Sequence, residues 1–550
     1  MMIAVVLMAA LVGGPLEVHT VTSDVRDCKV LDGGGYVAAT DGGLVVNGRV
    51  LTRFDGLPET RSHVVERVIA SEYEVWVGTE LGLARVSTDS EPRVLESVVA
   101  PAPVRAVLEH DGHVYVGTWG AGVLELRGGR LHALAGPDVT LADRVTDLVV
   151  HDDRIVFGTA GAGAWVLGET QPIAGVDGVV WSLAVHGGSL YAGTLAGVLR
   201  VEERGAVTVS QHDARALASD GDALLVGSRG QGLVRIGSDV PYGLPSHVQG
   251  LDGDRCVATS EGLWLRDGRR WVSTLTDGLP SGDITDMLEL DGKLLVSTFD
   301  RGLAIYEDGR WSTLANGEID PQINALADAG HGRVWVATAR GLHRIGPDGV
   351  ETWTQKRGLP HENVLSLAVR RNGELLVGTH SGAAIIDLNG DARPLGTRAR
   401  SWATWAIAEA PDGELWLGTT QGVIRWKKDG RWDHLSMLSG HLSDNWVTAL
   451  LFEGDTLHVG TYAGGVDTLT REGQTFHGHA LGGGRVNPGG LSLVDGELFA
   501  ATMKGVLVLR DGKWKPAREQ GVFEDATAVL GTKGGVWVGS RRGLALWPSV

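Results

Sequence analysis

One short pattern recurs along this chain at nearly even intervals, and it restricts the fold more than any other feature. Its clearest copy is Val75-Trp76-Val77-Gly78-Thr79-Glu80-Leu81-Gly82-Leu83, two apolar stretches around a turn. The hydroxyl residue of the pattern falls at Thr40, Thr79, Thr118, Thr159, Thr194, Ser228 and Thr259, then at Thr298, Thr338, Thr379, Thr419, Thr461, Thr502 and Ser540. Each is followed three or four positions later by a Gly, as at Gly82, Gly122 and Gly302, where a turn needing positive φ would exclude a side chain. Neighbouring copies lie from 31 residues (Ser228 to Thr259) to 42 residues (Thr419 to Thr461) apart, the period of a four-stranded propeller blade. The expected fold is therefore all-β, with fourteen four-stranded blades forming two seven-bladed β-propellers. A single ring of fourteen is disfavoured, because propellers typically close with 4 to 8 blades.

Within a repeat, hairpin signals place the strands. Blade eight reads as Ile284 to Leu290, Lys293 to Ser297, Gly302 to Tyr306 and Arg310 to Leu314, joined at Asp291-Gly292 and Asp308-Gly309. Such dipeptides favour primed two-residue turns, and they recur at Asp111-Gly112, Asn372-Gly373, Asp412-Gly413, Asp429-Gly430, Asp495-Gly496 and Asp511-Gly512. Their Asp residues read first as turn formers. Large side chains three positions before the hydroxyl (Trp76, Tyr115, Tyr191, Trp335, Trp416, Phe499, Trp537) point to one sheet face and read as packing between blades. Trp271, Trp311, Trp432 and Trp514, which open outer strands, read the same way.

Ring closure has two solutions. Leu16 to Val21 resembles an outer strand, while the chain ends just after a third strand. In one solution Leu16 to Val21 completes blade seven and Arg270 to Leu275 completes blade fourteen, so the rings span 16–267 and 268–550, with a border near Asp267. In the other, Arg266 to Trp271 is an ordinary hairpin of blade seven, the N-terminal strand completes blade fourteen, and one ring interrupts the other. The first division is the one adopted. Cys28 and Cys256, the only two cysteines, become neighbours if seven repeats close. A bridge there would lock the ring; the narrow Cα geometry of a disulfide favours two buried thiols instead.

Residues 1–15 form a signal-like apolar segment, too short to span a bilayer, which predicts export to the periplasm or beyond. No integral membrane span is expected elsewhere. A net charge of -18 argues against a general nucleic-acid partner, which would need a basic stripe. No phosphate-cradling loop, zinc-protease motif or nucleophile elbow is present, so no catalytic residue, metal site or cofactor is assigned.

Asp55-Gly56-Leu57-Pro58, Tyr242-Gly243-Leu244-Pro245, Asp277-Gly278-Leu279-Pro280 and Arg357-Gly358-Leu359-Pro360 each precede a strand leading to the Gly-Thr unit. With that unit, they make the chain resemble the two-component regulator propeller repeat of periplasmic sensing domains in hybrid histidine kinases. The resemblance implies paired seven-bladed propellers that recognise an extracytoplasmic ligand, an oligosaccharide or a protein. The sequence carries no kinase after Val550, so a separate signalling partner is expected.

A binding site should lie where loops converge at one end of a ring, and the turns after the hydroxyls are the candidates. In the first half these are mild: Trp119, Ala160, Leu195, Arg229, Gln231 and Glu261. The second half offers Asp300, Arg301, Arg340, His380, Gln421, Tyr462, Lys504, Arg541 and Arg542. The ligand-binding set drawn from it is Arg301, Arg340, His380, Tyr462, Lys504, Arg541 and Arg542, whose positive charges would attract an anion. Trp402, Trp405 and Trp446 precede inner strands on the same end and could stack on a sugar, or serve as buried caps between blades. The other reading is a propeller hydrolase or lyase acting on an extracellular polysaccharide, marked by two carboxylates, or a His and a carboxylate, facing each other across a central pocket.

Overall fold

The structure, a computed structural model, describes residues 17–58, 65–70, 74–134, 141–237, 242–275, 278–314, 317–396, 402–472, 475–482, 484–518 and 524–548. The apolar segment 1–15 lies outside them. The strands form fourteen antiparallel sheets, and among the described residues twelve have four strands and two have three. Blade eight shows the expected set: Ile284–Leu290, Lys293–Thr298, Leu303–Glu307 and Arg310–Leu314. Among the described residues no helix is long and apolar enough to cross a membrane.

The chain divides into two units of seven sheets. One comprises residues 20–278; the other joins 279–550 to the N-terminal residues up to His19. The border is thus at Gly278 and not at Asp267. The reason is local: Arg270–Thr274 pairs with Gly262–Asp267 through the Gly268-Arg269 turn, so blade seven supplies its own outer strand. The strand Glu17–His19 pairs instead with Gly543–Pro548 and covers the edge that blade fourteen would otherwise expose.

Why the Gly-Thr unit repeats is visible in the packing. Outside blade six, where Ala216 faces Gly227, the first residue of each inner strand faces the hydroxyl residue across the hairpin, as in Ile284 opposite Thr298 and Val447 opposite Thr461. The buried Thr298 hydroxyl donates to the Gly302 carbonyl (2.9 Å) and accepts from the Arg301 N–H (3.0 Å), which satisfies the turn internally. The preceding glycine answers to the next blade. A Cβ at Gly418 would stand 2.5 Å from Val447 Cγ1, and one at Gly539 would stand 2.7 Å from Ile284 Cγ2. The second contact joins blade fourteen to blade eight and shows that the ring is closed.

The ring of residues 20–278 closes by other means. The Asp252 carboxylate accepts from the Val30 N–H (3.0 Å), and Gln249 donates to the Val25 carbonyl (3.2 Å). Cys28 and Cys256 are bonded across the same seam, their Cα atoms 6.4 Å apart, which corrects the expectation of free thiols. Closing the ring brings two positions 228 residues apart into bridging range, a fact no local pattern carries.

The aromatic side chains behave as core. Trp335, Trp416, Phe499 and Trp537 are buried, and Trp76, Tyr115 and Tyr191 are partly buried against the clusters beside them. The Gly-Leu-Pro segments are structural too: Leu57, Leu279 and Leu359 are buried, and the Pro58 carbonyl accepts from the Thr79 hydroxyl (2.7 Å). Asp111, Asp291, Asp308, Asp495 and Asp511 take positive φ, as primed turns require. The Asn372, Asp412 and Asp429 turns differ, since their loops are one residue longer. There the following glycine N–H returns to Arg370, Ala410 or Lys427, and the Asx side chain accepts from the residue two further on.

Candidate functional site

Each inner strand of the ring formed by 279–550 begins with an irregularity. In blade eight, Ile284 pairs with Thr298 and Asp286 with Ser297, so the backbone register skips Thr285 between them. The same slip leaves out Asn324, Leu365, Trp405, Thr448 and Thr527, and a longer one in blade thirteen leaves out Asn487. A bulge re-aims the side chain it frees. All seven of these residues line one axial pocket of about 400 Å³.

Some of the seven serve the ring itself. Asn324 donates to the Val364 carbonyl (2.7 Å), Thr448 to that of Val486 (3.0 Å) and Asn487 to that of Ala526 (2.5 Å), each reaching the next blade. Trp405 is different, and with loop residues it builds one wall of the pocket. Trp446 stacks on Tyr462 with centroids 4.3 Å apart and planes 17° apart, while Trp405 stands 5.9 Å from Trp446 at 53°. The Arg485 guanidinium lies 4.0 Å from the Tyr462 ring centroid. Tyr462 is thus flanked by Trp446 and Arg485 and holds both in place.

Arg541 adds a second guanidinium and Asp283 the one carboxylate among the described lining residues. Burial raises the Asp283 pKa; the positive charge of Arg541 opposes the rise, and nearby Asp300 adds to it. Phe299, Met503, Ile284, Leu365 and Pro488 complete an otherwise apolar lining. The combination of flat aromatic surface, two cations and one carboxyl suits a small anionic molecule with an apolar face.

Of the residues expected from the sequence, Tyr462 and Arg541 line this pocket, as do Trp405 and Trp446. Arg301, Arg340, His380, Lys504 and Arg542 do not. Arg340 pairs with Asp320 (3.1 Å) and Arg542 with Asp525 (3.3 Å), while Arg301 stands 3.9 Å from the Asp300 carboxylate. The His380 ring lies 5.4 Å from that of His361, and Lys504 is exposed. Trp402 is a cap between blades, packed on a core cluster and against His434 (5.3 Å).

The bulge positions went unread, although a usable signal exists. Each is the residue after the apolar or Thr position that faces the repeated hydroxyl, so the repeat itself locates them once the hairpin register is known.

No protein-family model matches the chain, and no curated protein matches it. Among solved structures it is similar to PorZ, an essential bacterial surface component of the type-IX secretion system of Porphyromonas gingivalis. The identity is 14%, the likeness covers 98% of this chain and 87% of that one, and the TM-score is 0.74. It is also similar to an ancestral GH74 enzyme, at 14% identity over 98% of each chain with a TM-score of 0.69. The neighbours further include the extracellular domain of a protein from B. thetaiotaomicron named as a hybrid two-component system, at 16% identity over 96% of this chain and 81% of that one, with a TM-score of 0.43. For the first two of these the likeness, at such identities, is one of fold, and this chain's fold is the pair of seven-bladed propellers built up above.

Proposed function

We propose that this protein is an exported, sensor-like binding protein whose ring of residues 279–550 holds an acidic, sugar-sized ligand in its axial pocket and relays binding through a separate signalling partner. The observation that carries the reading is the joint lining by Arg485, Arg541 and the Trp405, Trp446 and Tyr462 group, in a hollow of about 400 Å³. That volume falls in the range of small-molecule sites, roughly 300–1,000 Å³. Export is supported by the Cys28–Cys256 bond, since disulfides persist mainly in oxidising compartments, and by the apolar run at the N-terminus. A bacterial surface location, as named for the P. gingivalis protein, agrees with this.

The hydrolase or lyase reading needs a second group to complement a first, as two carboxyls do in glycoside hydrolysis. Asp283 stands without a second carboxylate or a His among the described lining residues, so binding is preferred. Calorimetric titration with uronic-acid oligosaccharides and with neutral ones, followed by product analysis, tests the choice. The acidic series should bind, and Arg485→Ala with Arg541→Ala should weaken it at least tenfold, whereas Arg301→Ala with Arg340→Ala should leave it unchanged. Equal binding of neutral and acidic sugars by both variants would remove the reading, and release of shortened products would replace it with the enzyme.

A further inference from the structure

The ring of residues 20–278 has an axial hollow of its own, of about 220 Å³. Loop residues on this ring look mild in the sequence, but the hollow is not lined mainly by them. Arg26 and Arg105 sit at the same unpaired register of the inner strands as Thr285 does in the other ring, between Val25 and Asp27 and between Val104 and Ala106. Arg215 precedes the inner strand of blade six. These three guanidinium groups come from three separate blades and line one small space with Trp119 and Trp181. Thr146 and Gln249 are the other lining residues, so no carboxylate is among the described ones.

The aromatic rings hold the cations. Arg215 lies over Trp181 with its Cζ 4.0 Å from the ring centroid, and Arg105 lies over Trp119 at 5.6 Å, with Arg144 over the same ring at 5.8 Å. A guanidinium that lies against a ring face keeps its N–H groups in its own plane, where they remain able to meet an anion. Arg26 also pairs with Asp41, and Gln249 donates to the Asp24 carboxylate (2.5 Å).

We infer that this hollow is a second, separate anion site, which takes a tetrahedral oxyanion, a phosphate or sulfate group. A planar carboxylate matches the fork of one arginine; oxygens that radiate from a tetrahedral centre can accept from several guanidinium groups approaching from different directions. The hollow lies below the roughly 300–1,000 Å³ of sites for drug-sized ligands, so it fits the charged group itself and not a whole sugar chain. The group can be a free ion or the charged end of a phosphorylated or sulfated molecule.

The test is calorimetric titration of the full chain at low ionic strength with sodium phosphate, sodium sulfate, glucose 6-phosphate and sodium acetate. Phosphate or sulfate should bind saturably and at least tenfold more tightly than acetate. Arg105→Gln with Arg215→Gln should weaken that binding at least tenfold, and Arg215→Lys, which keeps the charge but loses the fork, should weaken it severalfold if the double variant does not fold. Arg485→Ala with Arg541→Ala should leave it unchanged, which separates this site from the one in the other ring. Glucose 6-phosphate binding as tightly as phosphate assigns the site to an ester; binding of the inorganic ions alone assigns it to the free oxyanion. Absence of saturable binding by phosphate and sulfate, or wild-type affinity in Arg215→Lys and in a folded double variant, would overturn the inference.

Discussion

At position 418 the neighbouring blade leaves room for a hydrogen and nothing larger. Gly418→Ala would bring a Cβ to 2.5 Å from Val447 Cγ1 and 3.2 Å from Ala406 Cβ, so two blades would have to part. Overpacking of this kind costs about 1–3 kcal/mol, and chemical denaturation should show that loss; an unchanged midpoint would mean that the ring yields freely. Asp286 carries a different constraint. It is half-buried and accepts from the Met287 N–H and, on the next blade, the Leu326 N–H, both at 2.8 Å. Burial outweighs these hydrogen bonds and pushes its pKa up to about 6 from an ordinary 3.8. A raised folded-state value means that the folded protein keeps a proton the unfolded chain has released, so this contribution to stability is present at low pH and is lost as pH rises through about 6. Relative to wild type, Asp286→Asn should therefore gain about 1–3 kcal/mol between pH 4 and pH 8, read from denaturation curves at each pH. Parallel pH profiles would contradict it. At this scale the turn glycines and hydroxyls were legible, because a turn is a local object. The glycine before the hydroxyl was legible as a pattern but not as a cause, since its neighbour lies on another blade.

Among the elements, Glu17–His19 does the most with the fewest residues. Three backbone pairings with Gly543–Pro548 cover the outer edge of blade fourteen. A chain beginning at Thr20 should leave that edge open. Amides of Gly543–Pro548 should then exchange faster with solvent, and the unit containing residues 279–550 should melt at lower temperature while the unit of residues 20–278 keeps its midpoint. Equal exchange in the two chains would show that the strand is dispensable. The strands themselves were readable from alternation and Asp-Gly turns, blade eight almost residue for residue. The bulges at the start of the inner strands were not, because a bulge is a relation between two strands and leaves no mark of its own in either. That is why Tyr462 and Arg541 were found from the loops, while Thr285, Asn324, Leu365, Thr448, Asn487 and Thr527 came only with the register.

For the whole molecule, the division at Gly278 makes residues 20–278 a ring that closes on itself without the rest of the chain. Expressed alone under oxidising conditions, this segment should fold, and replacing Cys28 and Cys256 with Ala should lower its stability by about 2–4 kcal/mol. Circular dichroism during thermal melting reads both; an unfolded segment, or one indifferent to the two substitutions, would contradict the closed ring or the role of the bond in holding it. The repeat by itself determined the number of blades, their four-strand plan and the two groups of seven, because hydroxyl, glycine and turn residues act within a few positions of one another. Only the tertiary structure decided which ring the first strand completes, that the two cysteines join, and which side chains meet at each axis. Those outcomes depend on closing a circle, which brings together residues more than two hundred positions apart, and no local preference carries that distance.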